Sequence, residues 1–130
     1  MILRIAAIFL TLAAATPAAA EYWPTPGAVL QGLDKITARV SPLEIRNGDT
    51  AAFHGLSVKV SACNIRPPEE PPEAAAFVEI FDGPRPGAAT LFRGWMFASS
   101  PAVSAFEHPV YDIRVLRCIT KAKDDWSGRP

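Results

Sequence analysis

Apolar and polar side chains alternate with a period of two along most of this chain, and the pattern predicts strands. Ile36, Ala38 and Val40 alternate with Lys35, Thr37 and Arg39, as in a half-buried strand. Pro42 interrupts, then Leu43 and Ile45 resume the alternation up to Asn47-Gly48-Asp49, a turn signal because Asn and Gly tolerate positive φ. Thr50 to Phe53 is a short candidate strand and His54-Gly55 a further turn. Leu56 to Ala62 is the most regular strand, with Leu56, Val58, Val60 and Ala62 on one face. Ala74 to Phe81 is apolar on both faces except at Glu79, as a buried strand is. Ala89 to Ala98 sets Leu91, Trp95 and Phe97 on one face and Phe92, Met96 and Ala98 on the other, which predicts an interior strand. Ser100-Pro101 has the chemistry of an N-cap followed by proline at the first helical position, so a single helical turn is expected over Pro101 to Phe106. Val110 to Cys118 is the last strand, with Tyr111, Ile113 and Val115 inward.

The expected fold is therefore all-β: a small antiparallel β-sandwich or barrel with one short helical turn. The ends are different. Residues 1–20 carry one early charge at Arg4, an apolar run from Ile5 to Ala15, and Ala18-Ala19-Ala20 before Glu21, the layout of a secretory signal peptide. Residues 21–33 lack periodicity and read as an extended lead-in. Residues 34–118 form the single β domain, and residues 119–130 a flexible polar tail.

Cleavage after Ala20 turns 130 residues into 110, the size of one domain. Without Arg4 the mature chain carries 12 basic and 13 acidic side chains. That balance gives no footprint for nucleic acid or an anionic membrane surface, and no segment after the signal is long and apolar enough to span a bilayer. The localisation expected is periplasmic or secreted. Cys63 and Cys118 end the parallel strings Val-Lys-Val-Ser-Ala-Cys and Ile-Arg-Val-Leu-Arg-Cys. In an exported chain their pairing is the expectation, ahead of a metal pair or a reactive thiol.

Arg66-Pro67-Pro68-Glu69-Glu70-Pro71-Pro72-Glu73 is the sharpest compositional event. Its prolines forbid both helix and ladder, leaving a stiff connection or a docking strip. Arg66, Glu69, Glu70 and Glu73, with Ser99, Ser100 and His108 of the later loop, are the expected binding residues for an envelope protein or polysaccharide. Catalytic alternatives are thinner. Ser99, Ser100 or Ser104 with His108 and Asp112 supplies residue types for nucleophilic hydrolysis without a nucleophile-elbow motif. Glu79 and Glu107 could serve as a carboxylate pair on a sugar. Glu107, His108 and Glu79 are thus the catalytic candidates of a small envelope hydrolase, the alternative to a non-catalytic binding or structural accessory. His54 and His108 have no metal-ligand spacing, and no phosphate loop or dinucleotide fingerprint is present, so neither metal nor cofactor is expected. The aromatics Phe92, Trp95, Phe97 and Tyr111 would line a groove or fill the core; strand alternation assigns Phe92 and Trp95 to the core.

Three blocks carry a resemblance: Gly32-Leu33-Asp34-Lys35-Ile36-Thr37; Ala62-Cys63 with Arg66 to Glu73; and Gly94-Trp95-Met96-Phe97-Ala98-Ser99-Ser100-Pro101 with Glu107-His108-Pro109-Val110-Tyr111-Asp112 and Cys118. Together they resemble a family of secreted Gram-negative bacterial proteins known as domain of unknown function 2155, over most of Leu33 to Cys118. The resemblance implies export, one domain and paired cysteines, and brings no activity, ligand or catalytic residue.

Overall fold

A computed structural model describes residues 13–14, 21–85, 88–104, 106 and 108–120. Among them lie β1 (Trp23–Thr25), β2 (Gly27–Asp34), β3 (Arg39–Arg46), β4 (Thr50–Phe53), β5 (Leu56–Ile65), β6 (Ala74–Asp82), β7 (Ala89–Phe97) and β8 (Tyr111–Ile119). All pairings are antiparallel. One sheet runs β1-β5-β6-β7 with β4 also on β5, and the other runs β3-β2-β8. Leu30, Ile45, Val58, Val60, Val78, Ile80, Ile113 and Val115 fill the layer between them. The all-β antiparallel expectation is met, and the closure is that of a two-sheet sandwich.

Several local readings are corrected. Residues 21–33, expected as a lead-in, supply β1 and nearly all of β2, the central strand of the three-stranded sheet. Alternation is absent there because Gly27, Ala28, Val29 and Leu30 are all buried. Gly27 lies so close to β3 that a Cβ on it would stand 2.4 Å from the Ile45 carbonyl oxygen. Residues 35–38, read as the start of a strand, are the β2–β3 turn; Ala38 takes φ 57° and Ile36 points into solvent. Pro42 does not interrupt β3, because β3 is an edge strand and can spare the N–H that proline lacks.

The strand read as interior, β7, is also an edge, and Leu91 and Trp95 each keep 40% of their surface exposed. Trp95 is therefore not core; Phe92 and Met96, on the other face, are what the core receives. Residues 101–104 form a turn in which Val103 N–H donates to the Ser100 carbonyl (3.1 Å), and no helix occurs among the described residues. The expected tail starts too early, since Ile119 is a fully buried residue of β8. Residues 121–130 and the expected signal peptide, apart from residues 13–14, lie outside the described residues. No helix among the described residues is long and apolar enough to cross a membrane.

Cys63 of β5 and Cys118 of β8 are bonded, Cα to Cα 5.7 Å, joining the two sheets. Strict alternation after Val60 would turn Cys63 outward. Instead the register steps from Val60↔Val78 to Ala62↔Phe77, leaving Ser61 as an extra residue. In β8 it steps from Leu30↔Val115 to Val29↔Arg117, leaving Leu116 extra. Each bulge inverts the faces that follow it. Both cysteines thus point into the core, three residues beyond an inward valine, and both are buried.

Candidate functional site

The proline strip is fastened at its base. Arg66 N–H donates to the Glu73 carbonyl (3.2 Å), and Glu70 N–H to the Pro67 carbonyl (3.1 Å). The Glu73 carboxylate accepts hydrogen bonds from Ala74 N–H (3.0 Å), Ser99 N–H (3.2 Å) and the Ser99 hydroxyl. Partial burial pushes this carboxyl up, but the bonds from Ser99 and Ala74 and the charge of Arg66 outweigh it and hold Glu73 below its ordinary value. The two segments that sequence reasoning singled out, the strip and the loop after β7, are therefore clipped together through Glu73 and Ser99. Glu69 and Glu70 remain exposed. Arg66 Nε donates to the Tyr22 hydroxyl (3.4 Å), and its guanidinium lies 5.8 Å from the Tyr22 ring centre.

Alongside the strip runs a groove of about 500 Å3, with Pro67, Pro72 and Ala98 on one side and Leu116 and Arg117 of β8 on the other. Its second wall is an outer strand: β8 pairs with β2 on one side and has no other strand partner among the described residues. Leu116, the bulge residue, stays 40% exposed. Leu116 and Arg117 are groove residues that sequence reasoning missed as a site, because alternation reports strand faces and carries no signal for the bulge that sets them here.

His108 sits elsewhere and does a different job. Its Nδ1 accepts the N–H groups of Val110 (3.1 Å) and Tyr111 (3.2 Å), and its carbonyl accepts Lys35 Nζ (2.8 Å). The ring stacks on Phe106 (5.8 Å) and Tyr111 (5.2 Å), and Tyr111 stacks in turn on His54 (5.2 Å). The neutral imidazole therefore carries its proton on Nε2, and its lone pair is occupied by the backbone. A general base needs that lone pair.

Glu79 projects from the opposite face of the sheet. It pairs with Arg93 at 3.2 Å, and Lys59 is its cross-strand neighbour. Ser100 shapes the following turn through its carbonyl, and its hydroxyl is 3.5 Å from that of Ser99. Glu107 lies outside the described residues. The structure thus joins Arg66, Glu73, Ser99 and Ser100 in one neighbourhood, and does not bring Glu79 to His108. Among the described residues no three His, Cys, Asp or Glu side chains gather as metal ligands.

A family model described as "Uncharacterized protein conserved in bacteria (DUF2155)" matches residues 28–118. The chain is 31% identical over 91 residues to "Uncharacterized protein RP359" of Rickettsia prowazekii (strain Madrid E), covering 66% of this chain and 56% of that relative. The chain thus spans little more than half of the curated relative it matches. No solved structure matches. The family match takes in β3 to β7 whole and all but one residue each of β2 and β8, together with the strip, its clip at Ser99 and both bonded cysteines, and the chain accordingly belongs to the DUF2155 family of bacterial proteins.

Proposed function

We propose that this protein is an exported, non-catalytic binding module of the cell envelope that holds an extended segment of a partner protein along the outer edge of β8. The observation carrying this reading is the coincidence of that edge with the 500 Å3 groove and the clipped proline strip. An added strand gains main-chain hydrogen bonds from an edge and specificity from pockets that take alternate side chains. The strip that faces it is stiffened by its prolines and fastened by Glu73, so little ordering is left to be done on binding. The charged lining is balanced, Arg66 and Arg117 against Glu70 and Glu73, and favours a segment that alternates apolar side chains with charges of both signs. The signal-like residues 1–20 and the buried disulfide support an oxidising, extracytoplasmic setting.

The hydrolase alternative gains nothing from the geometry, since Glu79 is engaged by Arg93 and the His108 lone pair by the backbone. The test uses the mature chain and an array of peptides that alternate apolar with acidic or basic residues. Amide hydrogen exchange is followed across the protein with the tightest peptide bound. Protection concentrated in β8, and at least tenfold weaker binding by Leu116→Glu, is the expected result. No peptide bound by folded protein, or protection that leaves β8 untouched, overturns the reading.

A further inference from the structure

The outer face of the larger sheet carries a second recess, away from the β8 groove. It is an open depression of about 370 Å3, walled by Tyr22, Trp95 and Phe97, with Ala75 and Asn64 as the floor. That volume is within the range of small-ligand sites, about 300–1,000 Å3. The recess arises from strand register. Asn64, Ala75 and Phe97 are direct cross-strand neighbours on β5, β6 and β7, and Phe77↔Trp95 is the next outward pair. Small Ala75 in a central strand leaves a depression between aromatics carried by the two sheet edges.

We infer that this recess binds a glycan chain of uncharged pyranose units. Its lining holds no charged side chain. The floor strands β5 and β6 already use their main chains on both sides, so nothing is left there for an added strand. What the recess offers is aromatic surface and one amide. A pyranose presents the complement: an apolar C–H face that packs on aromatic carbon, and rim hydroxyls that both donate and accept, as the Asn64 amide does. Tyr22 adds a polar group, because its hydroxyl accepts from Arg66 Nε and keeps its own proton to donate.

The wall is also held in place before any ligand arrives. The Trp95 ring meets Phe77 edge to face at 5.5 Å, Arg93 lies 6.0 Å from the Phe77 ring centre, and Glu79 grips Arg93 at 3.2 Å. Glu79 is on this reading a positioning residue for Trp95, not an acid. A Trp left 40% exposed on a sheet face, beside two further aromatics, otherwise wastes apolar surface in water.

The test titrates the mature chain with two probes while heteronuclear NMR follows the backbone and side-chain amides: a β-1,4-linked N-acetylglucosamine tetramer and a β-1,4-linked glucose tetramer. Shifts confined to Tyr22, Asn64, Ala75, Trp95 and Phe97 with either probe are expected, and the stronger response separates an N-acetylated glycan from a plain one. Trp95→Ala weakens binding about tenfold, Trp95→Phe retains most of it, and Glu79→Gln loses a smaller factor. Leu116→Glu leaves it unchanged, which separates this site from the β8 groove. Absence of shifts with both probes on the folded protein, or equal affinity in Trp95→Ala with an unchanged thermal midpoint, overturns the inference.

Discussion

Reduction of the Cys63–Cys118 bond removes a single covalent link and leaves every side chain in place. The loop it closes spans 55 residues. Releasing that constraint raises the entropy of the unfolded chain and costs about 4 kcal/mol in the chain-entropy treatment. Domains of this size are stable by only about 5–15 kcal/mol, so the reduced protein should lie near the edge of folding. The double variant Cys63→Ala/Cys118→Ala loses more. Cys63 is 0% and Cys118 3% exposed, so each missing sulfur leaves a small void worth about 1 kcal/mol. The assay is urea unfolding followed by far-ultraviolet circular dichroism, on oxidised protein, on protein held in reductant, and on the double variant. Midpoints should fall in that order, and the slope should steepen once the cross-link is gone because the unfolded chain expands. Coincident midpoints for oxidised and reduced protein would mean that the bond adds nothing to stability. Two titratable thiols in the denatured, unreduced chain would refute the reasoning.

Two other changes probe the fold and the clip. Gly27→Ala should cost about 3 kcal/mol, because its Cβ meets the Ile45 carbonyl oxygen at 2.4 Å and Arg46 Cα at 2.7 Å, both main chain. Gly32→Ala meets the Phe53 ring first, at 2.5 Å, and should cost less since a side chain can shift where main chain cannot; a reversed order of thermal midpoints contradicts this. Glu73→Gln should destabilise by about 1 kcal/mol at neutral pH through the weakened clip to Ser99 and Ala74. The folded carboxyl lies below its ordinary 4.5, so the wild-type advantage is complete above that pH and fades as the pH falls through the lowered value. Urea midpoints of the two proteins that stay equally far apart at neutral pH and at about pH 3 would contradict the assignment.

Period-two alternation found β5 and β8 because each has one face turned to the core, continuous apolar character found β6 and β7, and Asn47-Gly48 and His54-Gly55 marked turns that the chain does make. It missed β2 because that strand is buried on both faces and built partly from glycine, which leaves no alternation to see. It misjudged β7 because Leu91, Trp95 and Phe97 look like core in a local window, whereas edge position is a property of the whole sheet. The bulges at Ser61 and Leu116 have no local signature either, apart from the shared spacing of three residues from valine to cysteine. At the candidate site, composition drew notice to the strip and to the serines. The joining of Glu73 to Ser99 is a contact across 26 positions that no window contains.

The pairing of β2 with β8 has a consequence for the order in which the chain is made. Asp34 closes β2, yet the strand that flanks it on one side ends only at Ile119. A ribosome adds about 5–20 residues per second, so those 85 further positions take roughly 4–17 s to appear. Throughout that interval β2 can hold β3 but presents its opposite flank to whatever is near. The three-stranded sheet therefore cannot be completed until the last strand of the chain is available, and only then can Cys118 meet Cys63.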